Sequence, residues 1–284
     1  MEALGKKYNA VLQQTMLRIK DPKVSVPFYE KHFGMQLVHK YDFPQWKFSL
    51  YFLERPSASF EGCGEPGTPT SENYLWNMTG QCTLELTHNH GSEDDPDFSV
   101  WSGNGGRDLP RDSSLFIENG PVRGFGHVAF NVDDVYAYSA ALEEEGVRFQ
   151  KKPDEGRMKG LAFCLDPDGY WIELVARSRS FPGVSANLSQ TMLRVKDAAA
   201  TVDFYQNVMG MQLMRKMEIP NDFTNYFLTS VLTPDEKERY DKEQIDPNST
   251  EASEFTHSLW YPILEITHNH GTESDEAFQI STGN

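Results

Sequence analysis

Short β-like runs, several with alternating apolar and polar residues, occur along the chain and predict half-buried strands. The clearest of these runs are Thr15–Ile19, FSLYFLE at 48–54, GFGHVAFNV from Gly124 and Thr191–Val195. Two more, Gly160–Leu165 and Tyr170–Ala176, are joined by the turn sequence DPDG, which indicates a hairpin.

Apolar residues at helical spacing fill intervals between these strands. AAATVDFYQNVMG predicts a helix that stops at Gly210, a residue type that commonly ends helices. By the same signals we expect helices at Lys23–Phe33 and at Val135–Glu145, the second capped by Asp133 or Asp134.

Two stretches are predicted to be surface segments. Residues 55–80 are rich in Pro, Gly, Ser and Thr, and residues 233–258 are highly charged. We expect the second to be a solvated insertion, partly helical or mobile, with no chemistry of its own.

The chain contains the same unit twice. QQTMLRIKD at Gln13–Asp21 returns as SQTMLRVKD at Ser189–Asp197, and LELTHNHG from Leu84 returns as LEITHNHG from Leu264. The match continues to Gly103-Asn104, which correspond to Gly283-Asn284. A period this long indicates duplicated domains rather than a solenoid.

The sequence predicts the same βαβββ pattern three times, each with one strand, a helix and three further strands. We therefore expect an α+β protein with modules at residues 8–121, including a linker, 122–180 and 181–284. The third module repeats the first. GFGHVAF and DPDGYWIELV of the second have no counterpart after 284, so a fourth module is expected to be absent, through truncation or as a genuinely short protein.

Composition limits the class of function. A length of 284 residues with 38% apolar content supports about two domains, and a net charge of −16 argues against nucleic acid as a partner. No apolar run approaches the ~18 residues of a membrane span. Three scattered cysteines without CxxC spacing favour a reducing compartment, with the cytoplasm as the default.

Polar residues that interrupt apolar strands are the candidate metal ligands: Gln14, Glu85, His127, Glu173, Gln190 and Glu265. An unpaired buried carboxylate is costly, and one shared cation would remove that cost. Taken singly, a strand Glu is more often solvent-facing and a His more often a core residue. A metal site is favoured because Gln14 and Glu85 of the first copy recur together as Gln190 and Glu265 in the second. His88 and His90 are interpreted as residues at the strand end.

Several strings together resemble the glyoxalase I family of the vicinal oxygen chelate superfamily, from about residue 10 to 284: QQTMLRIKDP, FYEKHFGM, DFPQWKFSLYFL, TLELTHNHG, RGFGHVAFNVDDVY, KKPDEGRMKGLAF and DPDGYWIEL. The resemblance implies modules paired into curved sheets, each pair binding one divalent metal through Gln, Glu, His and Glu. It favours Zn²⁺. Oxygen and nitrogen ligands without thiolate also suit Ni²⁺, Co²⁺ and Mn²⁺.

In this family the Gln and Glu come from one module and the His and second Glu from another, which leaves two assemblies open. The favoured one is a monomer in which modules two and three form one site within the chain, leaving Gln14 and Glu85 as half a site. The alternative is a homodimer in which module one of one chain meets module two of the other.

The resemblance implies a substrate and roles for residues. The substrate is the hemithioacetal of glutathione and methylglyoxal, isomerised to S-lactoylglutathione, with Glu173 as the main base and Glu265 on the opposite face. Residues implied in substrate binding are Arg18, Asn89, Arg123, Lys151, Arg157, Met158, Arg194 and Asn269. Arg157 stands where family members commonly have Lys.

Two other functions compete with this one. The first is another metalloenzyme of the superfamily, such as a ring-cleaving dioxygenase or an antibiotic-resistance protein. Iron dioxygenases usually bind the metal through two His and a carboxylate, and the Gln at the first ligand position argues against that class. The second is an inactive, truncated fragment that binds glutathione or metal.

Overall fold

The computed structural model describes residues 3–55, 62–77, 82–181 and 183–281. The match of Gly283-Asn284 to the first copy lies outside the described residues. None of the helices in the described part of the chain is long and apolar enough to cross a membrane.

The first unit begins with a short helix and continues as βαβββ with one inserted helix. Its elements are α1 (Leu4–Lys7), β1 (Gln14–Ile19), α2 (Pro22–Phe33), β2 (Gln36–Phe43), β3 (Phe48–Glu54), α3 (Pro69–Asn77) and β4 (Thr83–Asn89). Asp21 caps α2 by accepting the backbone N–H of Lys23, and Gly34 ends the helix in the left-handed conformation.

The second unit has the same layout, with three shorter strands after its helix. Its elements are β5 (Phe125–Val132), α4 (Val135–Glu144), β6 (Phe149–Lys151), β7 (Ala162–Leu165) and β8 (Trp171–Ala176). Asp134 is the residue that caps α4, accepting two backbone N–H groups, whereas Asp133 pairs with Arg177.

The third unit repeats the first and carries the longer insertion. Its elements are β9 (Ala186–Val195), α5 (Ala198–Asp203), β10 (Gln212–Ile219), β11 (Phe223–Thr229), α6 (Pro234–Glu243), α7 (Thr250–His257) and β12 (Ile263–Asn269). The predicted helix after Asp197 is α-helical only to Asp203 and continues as a π-helical turn at Phe204–Val208.

The strands form two sheets. One has four strands in the order β1-β4-β3-β2, and the other has eight in the order β10-β11-β12-β9-β5-β8-β7-β6. In the larger sheet β9 runs parallel to β12 and antiparallel to β5. Strands of the second and third units therefore share one continuous sheet, and the seam between the units is the β5–β9 ladder.

The first and second units pack against each other through their helix-bearing faces. Phe33 of α2 meets Phe130 of β5 with ring centroids 4.4 Å apart, inside the largest buried cluster. The turn after β7 joins the same interface, because the Tyr29 hydroxyl donates to Asp166 at 2.9 Å. This packing leaves the opposite face of the eight-stranded sheet available for a site.

The expectation that residues 233–258 are partly helical is confirmed by α6 and α7, but the expectation that this insertion is solvated is wrong for α7. Ala252 and Phe255 of α7 are fully buried and pack with Met214, Phe227 and Ile263 on the site-bearing face of the sheet. Most charged residues of the segment are exposed, although Glu236 is buried and pairs with Arg179 at 2.9 Å, and the few apolar residues at helical spacing face inward.

The interpretation of residues 55–80 as a surface loop also needs correction. This stretch contains α3, in which Leu75 is fully buried and Ser71 bonds to the His39 ring at 2.6 Å. Residues 56–61 and 78–81, which belong to the same expectation, lie outside the described residues. The Pro, Gly and Ser content marks the ends of the helix rather than a continuous loop.

Candidate metal centre

Four strands around the seam bring together four polar side chains. His127 lies on β5, Glu173 on β8, Gln190 on β9 and Glu265 on β12, and none is more than 8% exposed. In register, Ala129 of β5 stands opposite both Glu173 and Gln190. The small methyl group at this position leaves room for the longer side chains on either side to meet.

The four side chains converge on one point. The Gln190 amide lies 2.7 Å from Glu173 Oε2 and 2.7 Å from Glu265 Oε2. His127 Nε2 lies 3.2 Å from Glu173 Oε2 and 3.4 Å from Glu265 Oε2. Ligand atoms of His127, Glu173 and Glu265 all lie within 4.8 Å of one another, a spacing that could hold a metal ion.

Electrostatics at this point favour a positive charge. Burial opposes a charged imidazole, but the two nearby carboxylates outweigh that effect and raise the pKa of His127 to about 9. Burial raises the pKa of Glu265, and its neighbour His127 opposes that rise. Two buried carboxylates with one imidazole leave a negative charge to be balanced, which a divalent cation would do.

The donor set fits such a cation. One imidazole nitrogen and two carboxylates are common zinc ligands, and the Gln190 amide oxygen would be a fourth after a half-turn of the amide. Nitrogen and oxygen positions of an amide are assigned from the hydrogen-bond network, so the half-turn requires no backbone change.

Asn225 of β11 holds one of these ligands and was missed by the sequence analysis. Its Nδ2 donates to Glu265 Oε1 at 2.5 Å, and its Oδ1 accepts from the Thr267 hydroxyl at 2.9 Å. The register places Leu50 at the equivalent position of the first copy. The sequence did contain a signal for this residue: the strand FTNYFLT has Asn where the first copy, FSLYFLE, has Leu.

The first-copy candidates Gln14 and Glu85 lie together in the four-stranded sheet, away from His127. The Gln14 amide donates to Glu85, and Thr87 donates to the other Glu85 oxygen at 3.2 Å. The Gln14 Oε1 atom is buried and has no hydrogen-bond partner among the described residues. Among the described residues, the group whose side chains lie close enough to bind a metal ion together is His127, Glu173 and Glu265.

A cavity of about 1010 Å³ lies beside Gln14 rather than at His127. It opens between β1, which is an edge strand, and the third unit. Its lining includes Leu12, Met16, Thr191, Leu193, Tyr205 and Met211. The half-site therefore borders a largely apolar space.

Arg194 and Arg123 lie close together near the C-terminal end of β9. The Arg194 guanidinium donates to Phe125 O and Asn104 Oδ1, both at 3.1 Å, and burial together with the Arg123 cation lowers the Arg194 pKa to about 10. Arg123 pairs with Asp108 at 2.8 Å.

The remaining candidates from the second and third units lie in loops or at strand ends. Arg157 is exposed and pairs with Asp222 of the third unit at 3.0 Å. The Lys151 amine donates to the carbonyl of Met158 at 2.8 Å, and Met158 itself is 38% exposed. Asn269 ends β12.

In the first copy Arg18 donates to Asn89 at 3.2 Å, whereas the equivalent Arg194 donates to Phe125 O and Asn104. His88 and His90, interpreted as residues at the strand end, bond to Glu93 and Ser49 at 2.7 and 2.8 Å.

The model of the glyoxalase/bleomycin resistance protein/dioxygenase superfamily matches residues 11–174 and 187–280. The chain belongs to this superfamily. The predicted glyoxalase fold with repeated βαβββ units is thereby confirmed.

Individual members of the superfamily match over nearly the whole chain. Glyoxalase I of Saccharomyces cerevisiae is 39% identical over 280 residues, which cover 96% of this chain and 74% of the yeast protein. Lactoylglutathione lyase of Schizosaccharomyces pombe is 37% identical, with 96% of this chain and 76% of the relative covered. The resemblance to the glyoxalase I family is therefore confirmed.

A solved structure of a glyoxalase I is also similar to this chain. The crystal structure of glyoxalase I from Zea mays matches with a TM-score of 0.58 and 26% identity, covering 92% of this chain and 68% of the maize chain.

Proposed function

We propose that this chain is a metal-dependent lactoylglutathione lyase that isomerises the hemithioacetal of glutathione and methylglyoxal to S-lactoylglutathione. The observation that carries the proposal is the convergence of His127, Glu173, Gln190 and Glu265 at one buried point. The names of the relatives that match 96% of the chain support it.

These four residues would hold the metal, for which we favour Zn²⁺ over Ni²⁺, Co²⁺ and Mn²⁺. A bound divalent ion would supply Lewis-acid stabilisation of the negative charge that develops on the two substrate oxygens.

The proton transfer falls to the two glutamates. The reaction removes a proton from the carbon that carries sulfur, forms an enediolate, and returns the proton to the adjacent carbon, so no oxidant or reductant is needed. Asn225 fixes one oxygen of Glu265. Glu173 lacks an equivalent asparagine contact among the described residues, and this difference supports Glu173 as the main base, with Glu265 on the opposite face.

Cations near the end of β9 would bind the two carboxylates of glutathione. In the proposal Arg194, Asn269, Arg123, Lys151 and Arg157 serve this purpose, with Met158 beside them. The planar guanidinium groups suit carboxylates, and Arg157 already reaches across the seam to Asp222. Arg18 and Asn89 would do the same at the first half-site.

The proposed assembly is a monomer with one complete site formed by modules two and three. Support comes from the sheet that these modules share. Gln14 and Glu85 would remain a half-site, in which the buried Gln14 Oε1 has no hydrogen-bond partner among the described residues. Three buried, unpaired cysteines, Cys63, Cys82 and Cys164, support a reducing compartment, for which we propose the cytoplasm.

Formation of the thioester, followed by absorbance with and without EDTA, tests the activity. The zinc-loaded chain is expected to convert the methylglyoxal hemithioacetal and to stop when EDTA removes the metal. Glu173→Gln is expected to abolish turnover while the metal stays bound. No turnover by the zinc-, nickel-, cobalt- and manganese-loaded chain would contradict the proposal.

Size-exclusion chromatography with metal counting tests the assembly. A monomer with one metal per chain is expected, whereas a dimer that dissociates on Gln14→Ala would favour pairing through module one.

A further inference from the structure

The site-bearing face of the sheet continues beyond Glu265 onto two more strands. Glu265 stands opposite Phe227 of β11, and Phe227 stands opposite Arg215 of β10. Because residues paired across strands share a face, these three side chains form a row that leads away from the metal centre.

Arg215 is a half-buried cation in this row. Its guanidinium lies 5.2 Å from the centre of the Phe227 ring, and its Nη2 lies 3.5 Å from the Met217 sulfur. Burial lowers the pKa of Arg215, and the charge of the Glu265 carboxylate opposes that change, but the described residues place no carboxylate within ion-pair distance of the guanidinium. A guanidinium has five N–H donors, so most of its hydrogen-bonding capacity is available to a ligand.

The insertion closes this end of the site. Phe255 of α7 packs against Phe227, and His257, the last residue of α7, is half-buried. The carbonyl of His257 accepts the backbone N–H of Ser178 at 3.2 Å, which ties α7 to the segment after β8. Burial and the Arg215 cation lower the pKa of His257, so Arg215 and α7 are electrostatic neighbours.

The end near Arg194 and Asn269 is displaced from the metal centre along the strands, whereas the row through Phe227 and Arg215 runs across them. β9 and β12 run parallel, with Thr267 opposite Arg194 and Ile263 opposite Gln190. A ligand whose glutathione part binds near Arg194 and whose reacting carbons lie at the metal centre therefore leaves the direction across β11, toward Phe227 and Arg215, for its remaining substituent.

The cation is specific to the third unit. The equivalent position in the first unit is His39, which stands opposite Phe52 and bonds to Ser71 at 2.6 Å. Both copies therefore have a phenylalanine at the opposite position, Phe227 or Phe52. Only the third unit, which carries part of the His127 metal centre, has an arginine facing that ring.

We propose that Arg215 recognises an anionic substituent on the 2-oxoaldehyde part of the substrate, so that the site accepts hemithioacetals bearing a carboxylate there. The inference rests on the proposed function for the position of glutathione and the reacting carbons. A half-buried guanidinium beside an aromatic ring binds a carboxylate through charge-assisted hydrogen bonds, which are about twice as strong as neutral ones.

Two glutathione thioethers of similar size test the subsite without turnover. Binding of S-(4-carboxybenzyl)glutathione and S-benzylglutathione to the zinc-loaded chain is measured by calorimetry. We expect Arg215→Gln to weaken binding of the carboxylated ligand by about tenfold or more and of the neutral ligand by less than about threefold. Arg215→Lys keeps the charge and is expected to retain part of the preference.

Lys216→Gln is the matched control. Lys216 is the next residue on β10 and lies 5.9 Å from the Tyr226 ring on the other face, so its replacement removes the same charge away from the site. Circular dichroism confirms that each variant is folded, and Arg215→His, the residue of the first unit, replaces Arg215→Gln if that variant unfolds. An unchanged ligand ratio in the Arg215 variants, or an equal change in Lys216→Gln, overturns the inference.

The outcome separates this inference from the proposed function. A chain that isomerises the methylglyoxal hemithioacetal but shows no Arg215 effect loses the anion subsite alone. A chain that shows the Arg215 effect but does not isomerise the hemithioacetal keeps the subsite and loses the proposed activity.

Discussion

Asn225 binds Glu265 at 2.5 Å through the carboxylate oxygen that faces away from His127. The other oxygen, Oε2, is thereby directed toward His127 and Gln190. An amide that fixes one oxygen of a carboxylate orients the second as a ligand, and such outer contacts typically contribute 10- to 100-fold to metal affinity.

We predict that Asn225→Leu lowers metal affinity. The substitution leaves Glu265 Oε1 buried without a donor, at a cost of about 1–3 kcal/mol, so the dissociation constant for Zn²⁺ should rise by roughly tenfold or more. Competition with a chromogenic chelator measures the change. Leu50→Asn, at the equivalent position of the first copy, is the control and should leave the affinity unchanged. An unaltered dissociation constant in Asn225→Leu would show that the hydrogen bond does not orient the ligand.

Asp166 should make stability depend on pH. This carboxyl is 1% exposed between the first two units, and burial raises its pKa to about 7. The folded protein therefore retains a proton that the unfolded chain has lost above its usual pKa of about 3.9, and the free energy of unfolding falls as pH rises from about 4 to 7. The slope from this group is at most about 1.4 kcal/mol per pH unit.

Urea unfolding of Asp166→Asn at several pH values measures this contribution. The asparagine can still accept the backbone N–H groups of Asp168 and Tyr170, so the variant should fold and lose part of the fall in stability above pH 4. Glu54, whose pKa burial raises to about 7, contributes to the remainder in both proteins. Glu144→Gln, which removes an exposed carboxylate of α4, should leave the pH profile as it is. Parallel profiles for wild type and Asp166→Asn would be inconsistent with the raised pKa.

Phe255 should contribute strongly to stability although it lies in a highly charged insertion. Its side chain is fully buried against the site-bearing face, so Phe255→Ala should lower the free energy of unfolding by about 3–5 kcal/mol. Phe204→Ala is the matched control, because that ring is 47% exposed and its loss should cost less than about 1 kcal/mol. Equal losses in the two variants would mean that α7 does not pack as described.

Much of the architecture could be predicted from the sequence because it is repeated. Gln14 and Glu85 return as Gln190 and Glu265 in the same short strings, and this recurrence identified the strands that carry them. The pairing of β5 with β9 depends on contacts between distant strands, and spacing along the chain does not specify such contacts. The roles of the individual site residues stay predictions.

The buried insertion and two residues near the site could be recognised only from the packing of the folded chain. The apolar residues of α7 are few among many charges, so composition indicated a solvated segment although Phe255 is buried. Asn225 and Arg215 belong to no recognisable motif in the sequence, and only their neighbours across the sheet reveal what they contact. Length and polarity alone would have assigned both to a solvent-facing surface.

Metal counting on two single variants tests the central claim most directly. If one metal per chain is bound where modules two and three meet, His127→Ala should reduce the zinc content from about one to near zero per chain, while Glu85→Ala should leave it at about one. Zinc retained by His127→Ala, or lost from Glu85→Ala, would contradict a metal centre at His127.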